Sequence, residues 1–70
     1  MAKYMFITNK KKDLLKGRTV TYVSSEIIGR SKSYIINILN GKISCSNRLA
    51  EFMVSNLDPN AIKSDYFTEV

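Results

Sequence analysis

The residues of this chain with the clearest chemistry stand close together, at Lys32, Ser33, Ile36 and Asn37. Lysine can donate to guanine O6 or N7, asparagine can bond the adenine edge through two hydrogen bonds, serine suits either kind of base, and an exposed isoleucine can meet a thymine methyl. On a helix these spacings put all four on one side, with Tyr34 and Asn40 at its flanks. A helix fits the width of the major groove, so this short, mostly polar and partly cationic face points to duplex DNA. Taken singly, each residue has a plainer role, such as a solvated lysine, a serine helping to cap a helix, or an asparagine bonded to its own backbone. Their clustering is what carries the reading.

Other chemistries are poorly supplied. The 70 residues include no His and one Cys, Cys45, so an intramolecular disulfide cannot form and a zinc site would lack its usual ligands. With no histidine to deprotonate it, Cys45 is a weak nucleophile, and its place before an apolar helix suits packing as a small hydrophobe. The six carboxylates, Asp13, Glu26, Glu51, Asp58, Asp65 and Glu69, are scattered without a paired acid and base. A non-enzymatic protein with no metal and no cofactor is expected. The longest uninterrupted apolar run, Tyr4 to Ile7, is far short of the roughly 20 residues of a membrane span, so a cytoplasmic protein with no membrane partner is expected.

Charge divides the chain. Residues 1–42 carry nine basic and two acidic groups, a net +7, whereas residues 43–70 carry two and four, a net −2. One half should attract a polyanion, although a solvated basic face kept for solubility would look the same.

The elements that must position this face can be read from spacing and caps. Length, 44% hydrophobic content and the absence of repeats or linkers predict one domain over residues 1–70. Lys3 to Ile7 reads either as a short strand or as an apolar lead-in to the first helix. A short helix over Lys10 to Lys16 turns Leu14 and Leu15 inward and stops at Gly17. A second begins near Thr19 to Thr21, carries Val20, Val23, Ile27 and Ile28 on one face, and ends at Gly29. Ser31 caps a third that runs through Asn40, where Asn40-Gly41-Lys42 marks its end. A fourth, capped by Ser44 or Ser46, turns Leu49, Phe52, Met53 and Leu57 inward. Asp58-Pro59 predicts the start of a fifth, running through Ile62 towards Tyr66-Phe67. The expectation is an all-α domain with short connections.

The stretch from Thr21 to Lys42, with its small residue, Ile-Gly, Ser, Lys-Ser, Ile and Leu-Asn-Gly-Lys, resembles the lambda-repressor-like helix-turn-helix family, the phage repressor and Cro group with related bacterial regulators. The helix-turn-helix core would span residues 20–42, and the likeness extends more loosely to Leu57. The resemblance implies a compact five-helix fold whose third helix lies in the major groove of an operator. It implies base-reading roles for Lys32, Ser33, Ile36 and Asn37, and phosphate contacts from Thr21, Asn40 and Lys42, with Arg30, Ser31 and Tyr34 beside them. Ser24 stands where the family usually buries Leu or Val, and Arg30 where an apolar residue is common. Lys10 to Lys12 align with no family contact and are assigned auxiliary electrostatics.

Two functions fit these residues. The first is a sequence-specific DNA-binding regulator, a small phage or prophage repressor or Cro-like switch protein, acting as a homodimer on DNA with Ile62, Tyr66 and Phe67 as candidate contacts. The plainer reading of those three residues is intramolecular packing of a final helix or tail on the core. The alternative is a protein-binding helix-turn-helix module, an antirepressor, antitoxin or inhibitor docking on a protein partner. RNA binding is disfavoured, since the aromatics form no paired platform on a strand and no Gly-rich loop suits backbone clamping.

Overall fold

The computed structural model describes residues 3–70, so the first two positions of the expected domain lie outside the described residues. The chain opens as a strand, β1 (Lys3–Phe6), and a 3-10 turn at Thr8–Lys10 leads into α1 (Lys11–Leu15), which buries Leu14 and Leu15. Thr19 starts the next helix by accepting the Tyr22 N–H at 3.1 Å. This helix, α2 (Val20–Tyr22), runs without a break into a π-helical segment, Val23–Ile28. Ser31 Oγ accepts the Tyr34 N–H at 3.3 Å and opens α3 (Lys32–Leu39). A short strand, β2 (Cys45–Ser46), passes directly into α4 (Asn47–Leu57), and Ser46 rather than Ser44 caps it, accepting the Leu49 N–H at 3.2 Å. A 3-10 turn at Lys63–Asp65 precedes the last strand, β3 (Phe67–Glu69).

The expected all-α five-helix domain is therefore corrected to a mixed α/β fold, with four helices and a three-stranded antiparallel sheet in the order β2-β1-β3. No fifth helix starts at Asp58-Pro59. The backbone closes one turn, Ala61 N–H to Asp58 O, and is extended by Ile62. The Asp58 carboxylate accepts the Tyr66 O–H at 2.7 Å and lies 3.5 Å from Lys16 Nζ. Asp65 Oδ2, accepting the Ile62 N–H at 3.1 Å, starts only the 3-10 turn. An extended end satisfies the apolar residues better than a helix would. β1 is the central strand, and its register sets Phe6 opposite Phe67 and Tyr4 opposite Cys45, which gathers Phe6, Phe67 and Cys45 on the buried face. The Phe6 and Phe67 rings meet edge to face at 5.3 Å, an arrangement that adds about 1 kcal/mol beyond the area it buries.

Leu14, Ile35, Ile38 and Met53 are fully buried and form the centre shared by the helices. Arg18 ties two of the helices together, Nε donating to Leu15 O at 3.1 Å and Nη2 to Leu57 O at 2.9 Å, so one side chain satisfies carbonyls at the ends of both α1 and α4. Phe52, expected inside α4, is 43% exposed, and the inward stripe is Leu49, Ala50, Met53, Val54 and Leu57.

The π-helical segment explains the unusual serine. Both the Gly29 and Arg30 N–H groups donate to Ser24 O, at 2.8 and 2.9 Å, which widens the turn and sets Ser24 inside the core beside Val23. Burying a hydroxyl is costly unless it is bonded, and Ser24 Oγ donates to Thr21 O at 3.1 Å.

Candidate nucleic-acid interface

α3 owes its orientation to three buried side chains. Ile35, Ile38 and Leu39 recur at spacings of three and four and pack into the core. At about 100° per residue, Lys32, Ile36, Asn40, Ser33 and Asn37 then spread over about 140° on the opposite side. Lys32, Ser33 and Asn40 are exposed, and Ile36 and Asn37 are half-buried at the base of the same stripe. From Lys32 to Asn40 this edge runs for about 12 Å along the helix axis. Gly29, in a left-handed conformation, and Ser31 make the three-residue turn that brings α2 to α3.

The expected phosphate-contacting residues Thr21, Arg30, Ser31, Asn40 and Lys42 are exposed and Tyr34 is half-buried. Thr21 is exposed in the first turn of α2, and Lys42 is exposed just beyond α3. Ser31 spends one lone pair on its cap and stays exposed. Arg30 is exposed, with its guanidinium carbon 6.0 Å from the centre of the half-buried Tyr34 ring, the outer limit of a cation–π contact. Among the described residues the one ion pair is Lys16–Asp58, so Arg30, Lys32 and Lys42 have no carboxylate partner there. Their charge is available to an external anion.

Ile62 is 64% exposed, whereas Tyr66 and Phe67 are 5% and 3% exposed. As dimer contacts Tyr66 and Phe67 are corrected to core residues: Tyr66 at the end of the 3-10 turn and Phe67 at the start of β3 both turn inward beside Phe6. Tyr66 donates its hydroxyl to Asp58 Oδ2 at 2.7 Å. Its hydrogen bond to Asp58, with burial and nearby negative charge, pushes the phenol up to about 12, and the same bond holds Asp58 below the usual carboxylate range. Burial raises the Cys45 thiol to about 11, which keeps it protonated at neutral pH. Among the described residues no group of three or more His, Cys, Asp or Glu could hold a metal ion.

Two features escaped the sequence reading. The Thr8–Lys11 segment lies against the end of α3, where Lys11 Nζ donates to Asn40 Oδ1 at 3.4 Å. A β-carbon built on Gly41 would fall 2.9 Å from Thr8 Cγ2, which shows how closely the two segments approach. The run Lys10-Lys11-Lys12 and the Gly after Asn40 were the available signals, but nothing local joined them. The second feature is a concavity of about 200 Å³ bordered by Arg30, Ser46, Arg48 and the exposed Phe52.

The fold and this face define a small mixed α/β domain in which α2 and α3, joined by a short turn, present a polar and cationic edge. Comparison with known proteins finds no matching family model, no matching curated protein and no matching solved structure.

Proposed function

We propose that this chain is a sequence-specific double-stranded DNA-binding regulator, a small phage or prophage repressor or Cro-like switch protein that acts by occupying an operator. The observation that carries the reading is the α3 stripe, where Lys32, Ser33, Ile36 and Asn37 lie opposite the buried Ile35, Ile38 and Leu39. In this reading Lys32 and Asn37 discriminate bases, Ser33 and Ile36 add edge and methyl contacts, and Thr21, Arg30, Ser31, Tyr34, Asn40 and Lys42 hold phosphates. The role is binding rather than catalysis, in the cytoplasm. Among the described residues no helix is long and apolar enough to cross a membrane.

One α3 helix reads few base pairs, so operator specificity calls for a twofold dimer with half-sites about one helical turn apart. The exposed Ile62 is the dimer contact left by the burial of Tyr66 and Phe67. The protein-docking alternative draws on a different surface, the exposed Phe52 between Arg30 and Arg48.

Titration into duplex DNA at several salt concentrations tests the proposal. Neutralising four to six phosphates gives a log-log slope of about −4 to −5, at −0.9 per phosphate. A slope near zero contradicts it.

A further inference from the structure

We propose that Lys11 and Asn40 act as one coupled phosphate clamp, joining α1 to the DNA-binding edge of α3. The inference rests on the DNA-binding reading above and adds to it a contact from a helix to which that reading gives no defined role. The lysine ammonium donates to the side-chain oxygen of Asn40 at 3.4 Å, across 29 positions of sequence. A lysine can only donate, so this contact favours the orientation in which the Asn40 oxygen faces Lys11. With Oδ1 held by Lys11, the amide nitrogen and its two hydrogens face away, into solvent, because Asn40 is exposed. The ammonium keeps two further hydrogens. Together they make a small donor array bearing one positive charge, suited to phosphate oxygens.

The array is held in place by packing. Thr8 fits against Gly41, a position at φ 74° where even a β-carbon would crowd the threonine methyl. This close approach brings the 3-10 turn that precedes α1 beside the loop that follows α3, the neighbourhood in which Lys11 reaches Asn40. Lys42, exposed two residues on, adds a second charge at the same end of α3. The nearest carboxylate in sequence, Asp13, lies about 200° around α1 from Lys11 and contributes to the raised Tyr66 phenol on the far side. No ion pair involves Lys11 among the described residues.

The chemistry makes Lys11 a positioning residue as well as a charge, and that distinction can be measured. The test uses the full chain and a generic 20-base-pair duplex of mixed sequence, since a phosphate contact is blind to base identity. Lys11→Met weakens binding to every duplex by a factor on the order of ten and lowers the steepness of the salt dependence by about 0.9. Asn40→Ala weakens binding on the order of fivefold with a nearly unchanged slope, because it removes donors but no charge. The double variant loses no more than about threefold beyond Lys11→Met alone, because an amide without its lysine no longer faces the phosphate. Lys12→Met, the same change of charge one residue along, costs less than threefold. Thermal unfolding confirms that each variant is folded, with Lys11→Gln replacing Lys11→Met if it is not.

Wild-type affinity and slope in Lys11→Met, beside a reduced slope in Lys42→Ala, would overturn the clamp and leave the DNA reading standing. Strictly multiplicative losses in the double variant would overturn the coupling. A salt slope near zero in the unmodified protein would instead remove the DNA reading itself.

Discussion

Gly29 and Gly41 make a matched pair for testing how the structure holds the end of α3. Both are left-handed, at φ 75° and 74°, but a β-carbon on Gly29 meets nothing within 4 Å, whereas one on Gly41 meets Thr8 Cγ2 at 2.9 Å. Alanine in that conformation costs about 1 kcal/mol through backbone strain alone. Overpacking against a threonine methyl adds a further 1 to 2 kcal/mol, roughly. Gly29→Ala should therefore lower stability by about 1 kcal/mol and Gly41→Ala by about 2 to 3 kcal/mol. At about 4 to 8 °C per kcal/mol for a domain of this size, the two should differ by roughly 5 to 15 °C in Tm. The decisive variant is Thr8→Ser, which deletes Cγ2 on an exposed residue and costs less than about 0.5 kcal/mol alone. Combined with Gly41→Ala it should return the loss to about that of Gly29→Ala. Circular dichroism during thermal and urea unfolding measures all four. Equal losses for the two glycines, or no recovery with Thr8→Ser, would refute the packing of Thr8 on Gly41.

Other expectations follow from particular bonds. Lys32→Ala and Asn37→Ala should each cost about 1 to 3 kcal/mol on a preferred duplex and little on others, while Lys42→Ala weakens all duplexes alike, as read by competitive binding. Arg18→Ala leaves carbonyls of α1 and α4 without their donor and should destabilise by about 1 to 3 kcal/mol in urea unfolding. Stability should fall as pH rises, because the folded state holds protons that the unfolded chain releases: first for Cys45, between its ordinary value of 9.0 and about 11, then for Tyr66, between 10.0 and about 12. Tyr66→Phe should abolish the second part of that loss in alkaline titrations followed by circular dichroism. On the acid side Asp58 works in the opposite sense. Its carboxyl is held low, so the stability it contributes is present above the ordinary carboxylate range and disappears as pH falls through its folded value, a dependence Tyr66→Phe should weaken.

Local signals placed the helices that carry the candidate site and offered a strand as one of two readings of Lys3 to Ile7, realised as β1, but missed β2, β3 and the sheet they form with it. Thr19, Ser31 and Ser46 cap α2, α3 and α4, and Gly29 closes the helix that precedes α3, because caps and left-handed stops depend on a few adjacent residues. The strands span four, two and three residues, too short to show an alternation, and their pairing joins residues 3–6 to 67–69 across the whole chain. Asp58-Pro59 carries a sound helix-start pattern. It lost to tertiary demand, since only an extended end sets Phe67 against Phe6 and brings the Tyr66 hydroxyl to Asp58. The same override moved Tyr66 and Phe67 from candidate dimer contacts into the core. The α3 stripe was legible because helical periodicity fixes which residues oppose Ile35 and Ile38. The Lys11–Asn40 pair was not, because it depends on how α1 docks.

Whether α3 reads base sequence is decided by selecting bound duplexes from a random-sequence pool, with the unmodified chain and Lys32→Ala/Asn37→Ala run in parallel. The unmodified chain should enrich a short motif, repeated with twofold symmetry at a spacing near one helical turn, and the double variant should lose it while still retaining bulk DNA. Recovery of no motif, or of the same motif by both proteins, would contradict the claim that α3 reads the major groove.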